Sequence, residues 1–211
     1  MSTPEPAPNG HTIRSQRSTK AMLTAAGDII AESGYGAVTF VAVGERAGYS
    51  RGLVTARFGS KDLMMQALID RIVGRWNLAH VYPRTAGKDG LTGMMIGFEE
   101  LIDQFRRDSQ SLAVLYTLIF EAPGPNNELR ERMRELNRDL RQFFAGLLRH
   151  GLADGSVRSD ISADLEAEMI VATIRGIGYQ WRLDPDRFDP VAAFEYAKSA
   201  LHGRLSPQSV D

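Results

Sequence analysis

Residues 39–63, from Thr39 to Leu63, read TFVAVGERAGYSRGLVTARFGSKDL, and the spacing within this stretch decides the fold. Thr39 is of the type that caps a helix N-terminus, Gly48 permits the left-handed turn that closes the helix near Ala47, and Ser50 caps the next. Gly59 breaks that second helix after Phe58, and Ser60 caps a further one. Two short helices joined by a Gly-containing turn have the spacing of a DNA-reading helix-turn-helix. Gly44 lets the two helices approach closely, and Val43, Val54 and Phe58 form their inner faces. Arg51, Leu53, Thr55 and Arg57 are then left pointing outward. Side chains at the start of such a helix read base edges while flanking cations hold phosphates. Arg51 is therefore the candidate base contact, and Lys61, beside the cap of the following helix and its open N–H groups, the candidate phosphate clamp.

Working outward, helical periodicity runs through the whole chain, and no segment keeps the period-two alternation of a half-buried strand. Residues 1–16 read as a flexible arm, from which Arg14 and Arg17 either enter an adjacent minor groove or simply sit in a disordered extension. Met22, Ala26, Ile29 and Ile30 mark a first helix ending near Ser33. The helix capped by Ser60 carries Leu68, Ile72 and Trp76 at one-turn spacing and runs to about His80. Pro83 to Gly90 is loop-like. A fifth helix follows with Leu91, Met94, Met95, Phe98, Ile102 and Phe105 on one side, and Leu112 to Phe120 is apolar on every side, as in the middle of a bundle. Beyond Pro123-Gly124-Pro125, a long helix with Leu129, Met133, Leu136, Leu140 and Phe143 on one stripe ends at Gly151. The eighth spans about Ala163 to Arg182, and the ninth begins with Asp189 as cap and Pro190 in its first turn. The expected fold is all-α with nine helices: a helix-turn-helix domain over 17–62, a helical bundle over 63–206 and a tail over 207–211.

Composition narrows the function. The chain carries no cysteine, and His11, His80, His150 and His202 stand far apart, so neither a thiolate nucleophile nor a metal site is expected and no cofactor is implied. No converging nucleophile, base and acid set points to an enzyme. An N-terminus rich in Pro and Ser lacks the apolar core of a secretory signal, and Leu112 to Phe120 falls far short of a membrane span, so a cytoplasmic protein without a membrane partner is expected. The net charge of −1 is unevenly spread: residues 1–62 hold seven Lys or Arg against five Asp or Glu, whereas the rest hold eighteen against twenty-one. This near-neutral balance disfavours an architectural protein that binds DNA without sequence preference.

The stretch from about Arg17 to Leu68 resembles the DNA-binding domain of the tetracycline-repressor (TetR) family of bacterial regulators. Thr39, Ala47, Gly48, Ser50, Gly52, Phe58, Ser60, Lys61 and Leu63 match the family pattern, with conservative changes at Val43 and Val54. Thr55 stands where the family usually has Tyr, Arg57 where it has His, and Leu53 where a small polar residue is common. The resemblance implies a repressor that binds a palindromic operator in double-stranded DNA as a homodimer, with Thr39, Ser50, Arg51, Gly52, Leu53, Thr55, Arg57 and Lys61 at the interface.

It also implies a C-terminal bundle enclosing a pocket for a largely apolar small molecule. Candidate lining residues are Met94, Phe98, Phe105, Tyr116, Phe120, Met133, Phe144 and Met169, because thioethers and aromatic rings suit such a ligand; the same residues serve equally well as plain core. A small-residue face formed by Thr173, Gly176 and Ile177, flanked by Ile170 and Trp181, with Phe194, Ala197 and Leu201 on the ninth helix, is the candidate dimer interface; packing within one chain would also explain it. Ligand binding would then shift the population between two spacings of the recognition helices, with the fourth helix as lever.

Overall fold

The computed structural model describes residues 10–75, 78–122 and 127–207, and the chain divides into two compact units after Arg71. Among the described residues it is all-α, with nine α-helices and one short 3₁₀ turn.

The first unit begins with α1 (Gly10–Ser33), which starts within the stretch expected to be an arm, so Arg14 and Arg17 stand on a helix. Residues 1–9 lie outside the described part. The 3₁₀ turn Tyr35–Ala37 leads to α2 (Phe40–Ala47), α3 (Arg51–Phe58) and α4 (Lys61–Arg75). Met22, Ala26, Ile30, Val38, Val43, Val54 and Met64 are among its most deeply buried side chains. Arg71 ties α4 to α1, donating to Lys20 O at 3.0 Å and Thr24 Oγ1 at 3.2 Å.

In the second unit, α5 (Leu78–Thr85), α6 (Gly90–Glu121), α7 (Asn127–Asp154), α8 (Ala163–Leu183) and α9 (Pro190–Leu205) form the bundle. Two boundaries differ from expectation. Helix is described to Arg75 and again, as α5, from Leu78 to Thr85, so it takes in Pro83, expected in a loop; Pro83 removes only one backbone hydrogen bond in a helix that stops two residues later. The expected fifth and sixth helices are halves of α6, which breaks at Asp108 (φ −152°, ψ 60°). There the Ser111 N–H donates to Asp108 Oδ1 at 3.2 Å, so an aspartate cap inside the helix restarts it.

The core is a ring cluster. Phe98 and Phe144 lie 5.8 Å apart, and Phe105 contacts Tyr116, Trp181 and Phe194 at 5.1–6.1 Å. Glu100 is buried but paired on both sides, with Arg84 of α5 at 2.9 Å and Arg107 at 2.5 Å. The start of α6 is held by three caps: Asp89 Oδ1 accepts from the Thr92 N–H at 2.8 Å, Asp154 from the Gly90 N–H at 2.9 Å, and Ser156 from the Leu91 N–H at 3.1 Å. The Thr92 backbone N–H, followed by its hydroxyl, holds the Asp89 carboxyl below its ordinary pKa. With the folded-state pKa depressed, the stabilisation is complete above the unfolded value and fades as pH falls through the folded one. Asp89→Ala is expected to lower stability by about 1 kcal/mol at neutral pH. In urea titrations across pH, the difference from wild type should shrink at the acid end; a constant difference would show that the cap's charge plays no part.

Candidate nucleic-acid interface and ligand cavity

The local signals of residues 39–63 act as their chemistry dictates. Thr39 Oγ1 accepts from the Ala42 N–H at 3.1 Å and Ser50 Oγ from the Leu53 N–H at 3.2 Å, so each hydroxyl caps its helix. Gly48 adopts φ 76°, the left-handed turn that few other residues tolerate. A Cβ on Gly44 would stand 2.7 Å from Tyr49 O, so glycine is what lets the chain turn back over α2.

With Val54 and Phe58 buried, α3 presents Arg51, Gly52, Leu53, Thr55 and Arg57 on its exposed side. Arg57 Nη1 donates to Ser15 Oγ on α1 at 2.5 Å, which orients the guanidinium along the edge of the row. The Thr55 hydroxyl donates to Arg51 O at 3.1 Å, so its proton is turned to the backbone and its acceptor side outward. Lys61 is half-buried: Nζ donates to Tyr35 O at 2.8 Å and lies 3.8 Å from the centroid of the Tyr35 ring. The Tyr35 hydroxyl in turn donates to Asp62 at 3.2 Å, fastening the 3₁₀ turn to the start of α4.

Within the second unit a cavity of about 50 Å³ lies among α4, α6, α7 and α8. Its walls are nearly all apolar, with Ile72 and Val73 from the end of α4, Leu136 and Leu140 from α7, and Ile174 from α8. The break in α6 falls in the middle of one wall: Leu101, Gln104 and Phe105 precede Asp108, and Leu112, Leu115, Tyr116 and Ile119 follow it. Tyr116 donates to Ile174 O at 3.2 Å, and burial pushes its phenol pKa up. Gly178 makes room for that ring, since a Cβ there would meet it at 1.9 Å.

Of the eight residues expected to line a pocket, the cavity gathers Phe105 and Tyr116, and Phe120 stacks on Tyr116 at 5.9 Å. Met94, Phe98 and Phe144 are buried in the core outside its walls. Met133 lines a separate open groove with Ile119, Ala122, Arg130, Arg134 and Asn137. Met169 points outward, 53% exposed. Gln104 and Arg175 are additional polar lining residues; Arg175 carries a sequence signal as the one charge within the apolar run 169–178, whereas Gln104, among Asp103, Arg106 and Arg107, carries none.

The α8 residues separate in the same way. Thr173 and Gly176 are exposed, while Ile170 and Ile177 are buried, as are Phe194 and Leu201 on α9. Trp181 and Ala197 are half-buried against the core. The exposed face of α8 instead carries large apolar side chains at helical spacing: Leu165 (59% exposed), Met169, Tyr179 (49%) and Leu183 (68%).

Among the described residues no helix is long and apolar enough to cross a membrane, and no group of His, Asp or Glu is arranged to hold a metal. A capped helix-turn-helix with an exposed row of side chains, followed by a helical bundle, is the architecture of a DNA-binding transcriptional regulator. Residues 22–68 match the family model for bacterial regulatory proteins of the tetR family, and residues 97–206, just over half of the chain, match that for the C-terminal part of BetI-type transcriptional repressors. The chain belongs to the TetR family.

It is 26% identical over 212 residues to the HTH-type transcriptional repressor KstR2 of Rhodococcus jostii, covering 98% of this chain and all of the relative. The fatty acid metabolism regulator protein of Bacillus subtilis is 22% identical over 190 residues, covering 87% of this chain and 95% of that protein. The crystal structure of FadR from Bacillus subtilis with stearoyl-CoA superposes with a TM-score of 0.75 at 20% identity, over 88% of this chain and 98% of the other, and so shares its fold.

Proposed function

We propose that the chain is a ligand-released repressor that binds a pseudopalindromic operator as a two-fold homodimer. The observation that carries this reading is the exposed apolar stripe on α8, where Leu165, Met169, Tyr179 and Leu183 flank Thr173 and Gly176. A contiguous apolar face of this kind on an otherwise well-packed unit marks a protein interface. The interface assigned here is therefore the outer face of α8, joined by exposed Tyr196 on α9; Ile170, Ile177, Phe194 and Leu201 back it from inside. Pairing two copies about a two-fold axis presents two α3 helices to two half-sites.

The effector of this reading is a largely apolar small molecule held among α6, α7 and α8. Drug-sized ligands need roughly 300–1,000 Å³. A cavity of about 50 Å³ admits one only if its walls separate, and the break at Asp108 gives the α6 wall a joint at which to do so. Ile72 and Val73 belong to the helix that begins at Lys61, so the ligand shares that helix with the helix-turn-helix. Only a ligand that favours the open walls shifts the population. The presence of stearoyl-CoA in the FadR structure supports a ligand with a long apolar body.

Selection of bound fragments from random DNA, followed by a screen for compounds that release the winning site, tests the whole reading. Equal affinity for the selected site and random DNA would overturn it. Within the interface, Arg51→Ala is expected to cost about 1–3 kcal/mol and to relax preference at one position of each half-site. Lys61→Ala should weaken binding to all sequences alike and flatten the salt dependence by about one counterion, with some loss of stability from the broken Tyr35 contact. Binding to operator variants over a salt series distinguishes the two roles; identical, sequence-independent losses would refute the assignment.

A further inference from the structure

Two polar side chains interrupt the apolar cavity wall. Gln104 is only 4% exposed and stands in the cavity wall, where its amide is a neutral polar group among apolar side chains. Arg175 projects from the middle of α8, where its Nε and Nη2 both donate to one acceptor, Asn137 Oδ1, at 3.0 and 2.8 Å. The Tyr116 ring centroid lies 5.9 Å from its Cζ. A guanidinium carries five N–H donors. Among the described residues no Asp or Glu is paired with it, and the crowding of surrounding side chains pulls its pKa below the ordinary arginine value. By contrast, the buried charge of Glu100 in the same unit has an arginine on either side. The neighbours of Arg175 are the neutral Asn137 amide and the Tyr116 phenol, so among the described residues no carboxylate balances this half-buried cation.

The surroundings agree in sign. Asn137 also lines the open groove beside the cavity; the two share Ile119, and the groove is edged by Arg130 and Arg134, the latter paired with Glu131 at 3.4 Å. The groove that Asn137 lines thus holds two arginines, each with a partner of its own.

We propose that the effector is an amphipathic anion, whose apolar body parts the two halves of α6 and whose anionic head is held by Arg175 and the Gln104 amide. The inference rests on the reading of this cavity as the effector site and adds the charge of the ligand to it. The shared chemistry is an alkyl chain ending in an anionic group, which a free carboxylate and an acyl thioester of coenzyme A both supply. Calorimetric titration of the full chain with laurate, lauroyl-CoA and neutral dodecanol, each below its aggregation concentration, tests it.

Laurate or lauroyl-CoA should bind at least 30-fold more tightly than dodecanol. In Arg175→Met this preference should collapse while dodecanol affinity stays the same; Arg175→Lys should restore part of it, because the charge returns without the planar fork. Gln104→Leu should weaken the anion and strengthen the alcohol. Should Arg175→Met fail to fold, the wild-type preference and the Gln104→Leu variant still decide the matter. Dodecanol binding as tightly as either anion would overturn the anionic head while leaving the cavity as effector site. So would an anion whose affinity does not depend on Arg175. If none of the three binds, the cavity reading falls as well.

Discussion

A Gly176→Arg chain is expected to sediment as a monomer of about 23 kDa and to bind its operator at least 100-fold more weakly than wild type. Gly176 lies on the exposed face of α8, and a Cβ built there meets nothing within 4 Å, so the substitution leaves the fold of the single chain intact. What it changes is the surface between Thr173 and Tyr179. A long cation placed in the middle of an apolar face must be desolvated for two copies to pair, with no carboxylate offered by the stripe itself. Once the pair dissociates, each helix-turn-helix binds a half-site alone and loses the linked second contact, which accounts for the loss of affinity. Sedimentation velocity at micromolar concentration, with circular dichroism to check the fold, gives the answer. A dimeric Gly176→Arg protein with unchanged operator binding would move the interface elsewhere.

The second large effect is on stability. Gly90→Ala is expected to destabilise the bundle by about 3 kcal/mol, lowering Tm by roughly 6–12 °C. A Cβ at this position would stand 2.1 Å from Gly151 N, 2.4 Å from Gly151 Cα and 2.5 Å from Leu147 O. All three obstacles are backbone atoms of α7, so relief requires moving a helix rather than turning a side chain. Moving it would also stretch the Asp154 and Ser156 caps on the first N–H groups of α6. Gly146→Ala is the matched control: it lies within α7, a Cβ there meets nothing within 4 Å, and alanine should add about 0.5–1 kcal/mol through helix propensity. Thermal unfolding of both variants separates close packing from propensity. A Gly90→Ala protein as stable as wild type would show that α6 and α7 do not approach as closely as described.

Part of this molecule could be read in advance because its signals act over a few residues. Thr39, Gly48, Ser50 and Gly59 each do their work within four positions along the chain, and the structure has them capping or turning where their chemistry directs. The break at Asp108 was legible in the same way, as a gap between two apolar stretches, although the two halves turned out to be one interrupted helix. The start of α1 at Gly10 and the helix around Pro83 were not, since weak local preferences there yield to the elements they adjoin.

By itself, then, the sequence determined an all-helical chain with a helix-turn-helix near its start, because caps, glycine φ values and the 3.6-residue period are local physics. Only the tertiary structure decided which of the two apolar faces of α8 turns inward. Ile170, Ile174 and Ile177 on one side and Leu165, Met169 and Leu183 on the other have the same periodicity, and the difference between buried and exposed lies in what the remaining helices cover. Tertiary structure alone also brought Gln104 and Arg175, far apart along the chain, to the wall of one cavity. No periodicity encodes such a meeting, because it depends on how α6, α7 and α8 cross.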